Sequence, residues 1–122
     1  MSKRKPLKTK NKAVIEYLNE DGSKESYSFD VIVSYGKIDG IGNGKYESKI
    51  ESMRGCPVIR LSPDRDGLTI CHECLHATID FFRTIGDGDF NEMLNSSIIN
   101  EEAFVIMHSE FVRATYVALG MM

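Results

Sequence analysis

Five consecutive residues, His72-Glu73-Cys74-Leu75-His76, have the types and spacing of a divalent-metal site. In a helix, residues four apart project from one face on successive turns, so two imidazoles can meet a single ion. The glutamate beside the first histidine then sits where it can take a proton from an activated water. Two of the chain's three histidines fall in this window. A solvated helix face is polar in any case, so the placing of Glu73 between the two histidines is what sets this one apart.

The element that must position these residues is a helix. Residues 68–83, LTICHECLHATIDFFR, lie between Gly67 and Gly86, which punctuate the segment at both ends. At about 100° per residue from His72, His76 falls at about 40°, Asp80 at about 80° and Glu73 at about 100°, with Thr69 and Arg83 between. The apolar residues, Leu68 and Leu75 among them, take the remaining arc. The pattern predicts a polar stripe of roughly 100° and a hydrophobic face packed on a sheet. Cys71 and Cys74 form a CxxC that overlaps the motif, but both project from the apolar side. They are expected to be buried structural cysteines rather than a redox pair. Cys56, before Pro57 at a strand start, is expected to be buried and inert.

Catalytic zinc has three protein ligands, so a third must come from elsewhere. A second helix is expected from about Ile99 to Leu119, closed by Gly120, and offers Glu101, Glu102 and His108. With Glu102 as origin, His108 lies at about 240° and Glu101 at about 260°. Either those two face the metal side or Glu102 does, and periodicity does not choose between them.

Residues 70–78 (ICHECLHAT) and 100–104 (NEEAF) resemble the small zincin-like metallopeptidases common in bacteriophage genomes. These pair an HE-C/A-x-HA helix with a helix opening on Asn/Asp-Glu-Ala/Pro-Phe. The likeness covers mainly 58–119, and the N-terminal part is loosely matched. It implies Zn²⁺ held by His72, His76 and Glu102, with Glu73 as general base in peptide-bond hydrolysis. The implied order is HExxH, 25 intervening residues (77–101), then Glu, similar to the gluzincin group. Thermolysin-type enzymes carry an Asp four residues after the ligand Glu, and here that position is Ile106. Asp80, one turn beyond His76, is then the candidate to orient a ligand. The resemblance also implies a peptide or protein substrate, aligned by an edge strand at 46–52 or 58–62. The alternative is a non-catalytic binding or inhibitory protein that keeps a zincin scaffold with a structural or vestigial metal. Its argument is length, since 122 residues leave little chain for a substrate-binding subdomain.

The rest of the chain supplies the scaffold. From 13 to 66 short β-type runs alternate with turn chemistry: AVIEYL (13–18), KESYSF (24–29), VIVSY (31–35), YESKIES (46–52) and PVIRLS (57–62). Asp21-Gly22 between the first two is a hairpin signal. The expected fold is α+β: a mostly antiparallel sheet of four or five strands over 13–66, then two long helices over 67–122, as a minimal zincin-like core. The glycines at 40, 42 and 44 lack the following helix and the Gly-Lys-Ser/Thr of a phosphate loop, and read as a long turn needing positive φ. Asp87, Asp89 and Asn91 begin like a calcium loop, but Glu92 stands at the glycine position and Ile98 at the closing Glu position.

Composition narrows the class. One domain of 122 residues with 42% hydrophobic and 27% charged residues is globular, and no apolar run approaches a membrane span. The start MSKRKPLKTKNK has no apolar stretch behind it and three cysteines make no disulfide framework. A cytoplasmic location is therefore expected, and the resemblance implies a bacterial or phage-infected cell. Residues 1–12 hold six of the fifteen basic residues and none of the acidic ones, and read as a flexible tail. The remaining nine basic residues stand against eighteen acidic ones, a net of −9, which makes the body a poor nucleic-acid surface. Only the tail could make weak phosphate contacts.

Overall fold

The computed structural model describes residues 8–18, 21–34, 43–86 and 101–121. Among these residues four strands, β1 (Lys8–Leu18), β2 (Lys24–Ser34), β3 (Gly44–Glu47) and β4 (Val58–Leu61), precede two helices, α1 (Gly67–Gly86) and α2 (Glu101–Ala118). The architecture is α+β, as expected, with the strands in one sheet of order β1-β2-β4-β3.

The β1–β2 hairpin closes where Asp21-Gly22 predicts. Gly22 takes φ 85°, and the amide and hydroxyl of Ser23 both donate to Asp21 Oδ1, at 2.9 and 2.6 Å. The two expected runs 24–29 and 31–35 join, as far as Ser34, in one continuous 11-residue strand, and residue 35 lies outside the described residues. Its long partner β1 starts at Lys8, so Lys8–Lys12 of the supposed flexible tail are paired with Asp30–Ser34. β1 alternates as a half-covered strand should, with Ala13 and Ile15 buried and Val14 and Glu16 exposed.

The sheet is mixed. β1–β2 and β3–β4 are antiparallel, whereas β2–β4 is parallel over Asp30↔Val58 to Val33↔Leu61. The chain reverses direction at every strand, and inserting β4 between β2 and β3 creates the one parallel pair. This insertion also decides the edges. β4, at 58–61, is interior, and β3 is an edge strand of only four residues; 48–57 is a turn-rich excursion instead of more strand. From that excursion Arg54 Nε donates to the buried Asp30 Oδ2 at 3.0 Å, pinning the excursion to the sheet.

Both helices lie on one face of the sheet. Asp66 caps α1, its Oδ1 accepting the amide and hydroxyl of Thr69 at 2.8 Å each. α2 ends at Gly120 with φ 75°, where Met121 N donates to Tyr116 O at 2.9 Å and Gly120 N to Val117 O at 3.0 Å, a Schellman closure. The core unites Ile15, Phe29, Val31 and Leu61 of the sheet with Cys74, Phe81 and Phe111 of the helices. Phe81 takes edge-to-face contacts from Tyr17, Tyr27 and Phe111 at centroid distances of 5.1, 5.2 and 5.9 Å. Phe104 stacks on Phe82, and the Tyr116 hydroxyl comes up to Gly67, so the helices run antiparallel.

Candidate metal centre

The HExxH residues lie in the first half of α1, where the capped helix fixes their mutual direction. His72 and His76 point their Nε2 atoms at each other, 3.2 Å apart, with rings 4.9 Å between centroids and nearly perpendicular. Two nitrogens each about 2.0–2.1 Å from a tetrahedral ion stand roughly 3.3–3.4 Å apart, so the pair is spaced as two ligands of one ion. A carboxylate oxygen of Glu73 completes a trio whose candidate ligand atoms all lie within 4.8 Å of one another. Among the described residues this is the only such group of three. The two imidazole nitrogens are donors that suit a divalent metal, and the carboxylate stands beside them.

The polar stripe of α1 is divided by the sheet. The histidines are exposed, but Glu73 is only 5% exposed because strand β3 crosses over it. That crossing depends on Gly44. A Cβ there would stand 2.7 Å from Thr69 Cγ2 and 2.9 Å from Glu73 Cγ, distances that real Cβ atoms do not tolerate. The glycine read as a turn residue is therefore a strand residue, needed for close approach rather than for positive φ.

Two residues on, and so on the same face of β3, Tyr46 donates its hydroxyl to Asp80 Oδ2 at 2.5 Å. Asp80, the candidate to orient a histidine, is thus held by the edge strand. Burial, with the bond to Asp80 adding to it, raises the pKa of Tyr46 far above the usual phenol value. Burial likewise pushes neighbouring Tyr27 up to about 12. Neither Gly44 nor Tyr46 drew notice in the sequence as a site residue. Their spacing of two, just after a glycine run, was the available signal.

The apolar arc of α1 is wider than one sheet can cover. Leu68 and Leu75, expected at the packed face, are 81% and 40% exposed and flank His72 on the helix surface. α2 packs through Phe104, His108, Phe111 and Thr115, and His108 Nε2 meets the Cys71 carbonyl oxygen at 3.2 Å. Of the two alternatives on the second helix, the structure turns His108 toward α1. Glu102 is exposed in the first turn of α2, and its carboxylate is not brought into the trio. The side chain of Glu101 and residues 87–100, which include Asp87, Asp89 and Asn91, lie outside the described residues, as do Gly40 and Gly42.

Cys74 is buried against Thr115, its sulfur 3.4 Å from the hydroxyl, and burial pushes its thiol up to about 12. All three cysteines are free. No described helix is long and apolar enough to cross a membrane. No protein-family model, curated protein or solved structure matches the chain.

Proposed function

We propose that this chain is a small zinc-dependent metallopeptidase-like hydrolase that cuts peptide bonds in a peptide or protein substrate. The observation that carries the reading is the convergence of the His72 and His76 Nε2 atoms at 3.2 Å with the Glu73 carboxylate beside them. His72 and His76 would hold the ion through Nε2. The third ligand in this reading is Glu102, which rests on the motif likeness alone. To complete the set its carboxylate has to come round from the first turn of α2, where the leading amides lack intrahelical bonds and the backbone is least constrained. A bound zinc ion supplies Lewis-acid polarisation and lowers the pKa of water toward neutrality.

Glu73 is the base. Its carboxylate would take a proton from the attacking water and return it to the leaving amine nitrogen. The lid formed by Gly44 keeps Glu73 largely out of bulk solvent, which strengthens its electrostatic influence on the neighbouring imidazoles. Among the described strands β3 is an edge, and it passes over the catalytic helix, so an extended peptide could add there as a further strand.

The rival reading, a non-catalytic binding protein on the same scaffold, is favoured by the exposure of both histidines and by a Glu102 carboxylate that does not join the trio. The experiment that separates them is metal content by elemental mass spectrometry together with peptide hydrolysis, on wild type and Glu73→Gln. About one zinc per chain in both, with hydrolysis only in wild type, supports the peptidase. Zinc in both with turnover in neither supports the binding protein. No zinc in either, even after zinc is added back, overturns the metal site itself.

A further inference from the structure

We infer that the outward face of α2 binds a second copy of this chain, with the two helices antiparallel across a two-fold axis. The inward face of α2 is the stripe Phe104, His108, Phe111 and Thr115, which packs on α1 and the sheet. Two residues beyond each of these, about 200° around the helix, runs a second stripe: Ile106, Glu110, Arg113 and Val117. A solvated helix face is ordinarily polar. Here the ends of the stripe are branched aliphatics, 54% exposed at Ile106 and 52% at Val117, and an acid and a base stand between them.

This order is self-complementary. Two antiparallel copies paired about a point midway between 110 and 113 set Ile106 against Val117 twice and Glu110 against Arg113 twice. Each apolar residue meets an apolar one, and each charge meets its opposite. That is what an isologous two-fold contact requires, since the same patch must complement itself. A parallel pairing in register would instead put Glu110 on Glu110 and Arg113 on Arg113. Within one chain Arg113 Nη2 already donates to Glu110 Oε2, so the facing copy would close a ring of four alternating charges.

Beside the stripe, the exposed Val14 and Leu18 of β1 stand with the charged Glu16 and Lys24 in a mixed groove of about 460 Å³ that Glu110 and Arg113 also line. A second chain seated on α2 would cover this groove as well. The inference does not rest on the metal reading, and it competes with one part of it: Glu102, one turn before Ile106, lies on this same outward face, so a second copy seated here and Glu102 as a metal ligand would draw on the same first turn of α2.

The test is sedimentation equilibrium of the full chain from micromolar to submillimolar concentration. Wild type is expected to dimerise. Glu110→Arg alone and Arg113→Glu alone each put like charges opposite one another and should raise the dissociation constant by at least about tenfold. Mixing the two variants should restore dimers, because every pair across the axis is then again opposite in sign. Mixing leaves the contacts within each chain unchanged, so restoration cannot come from intrachain effects. Ile106→Ser with Val117→Ser, both at exposed positions, should weaken the dimer, and at concentrations low enough for the wild type to be monomeric it should leave the melting temperature unchanged. A monomeric wild type, a dimer indifferent to these variants, or a mixture that fails to re-associate overturns the proposal.

Discussion

The Cβ position of Gly44 lies 2.9 Å from Cγ of Glu73 and 3.2 Å from its Oε2, so β3 rests on the HExxH helix only because residue 44 has no side chain. The same strand is fastened one step further on by the Tyr46–Asp80 hydrogen bond. Strand and helix thus meet at two points, Glu73 and Asp80, along one flank of the histidine pair. The glutamate that the chemistry needs is covered, while the two imidazoles stay open to solvent.

Gly44→Ala should therefore cost about 1–3 kcal/mol, the usual penalty for forcing a methyl into a filled contact. Urea denaturation checks this. Either β3 lifts or Glu73 shifts, so hydrolysis, where present, should fall along with stability. An unchanged denaturation midpoint would mean that the strand does not press on the helix.

His72→Ala and His76→Ala should each weaken zinc binding by more than about 100-fold, beyond what the loss of a supporting partner costs. A competitive chelator titration reads this. In the same assay Glu102→Ala should lower affinity and His108→Ala should leave it unchanged. The reverse outcome would move the third ligand to the residue that already touches the Cys71 carbonyl.

Glu73→Gln should reduce peptide hydrolysis by about 10²–10⁴-fold, the range for loss of a general base. Zinc content should stay the same, because in this reading Glu73 moves protons and is not a ligand. Steady-state kinetics beside elemental analysis gives both numbers.

Alkaline stability should follow the buried phenols. Burial raises the pKa of Tyr27 to about 12 and that of Tyr46 further, against about 10 in the unfolded chain. Above that unfolded value the unfolded state binds fewer protons than the folded one, so stability is intact below pH about 10 and falls as pH rises toward about 12. Urea midpoints measured across this window should decline. Tyr46→Phe should flatten the decline and lower stability near neutrality, since Asp80 loses its donor.

Cys74 should resist a thiol reagent near neutral pH in the folded chain and react once the chain is unfolded. Burial both hides it and suppresses its thiolate. Rapid labelling of Cys74 in the native protein would contradict the packing of α1 on α2.

Local features follow from short stretches of residues. The hairpin at Asp21-Gly22, the helical period of 68–83 and the terminal Gly120 are short-range patterns, and each appears where its residues place it. The pairing of His72 with His76 is of the same kind, because four residues of helix suffice to align two rings. What only the tertiary structure decided involves residues far apart in the chain. Placing β4 inside the sheet made β3 the edge and β2–β4 parallel, and strand order is not encoded in any single run. Lys8–Lys12 read as tail because their charge is visible, whereas their partners, Asp30–Ser34, lie some twenty residues away. Gly44 and Tyr46 gained their roles from a helix about thirty residues downstream. An apolar arc likewise says that a helix side can be buried but not by what. Leu68 and Leu75 on α1, and Ile106 and Val117 on α2, remain exposed because one sheet and one neighbouring helix cover only part of each helix's circumference.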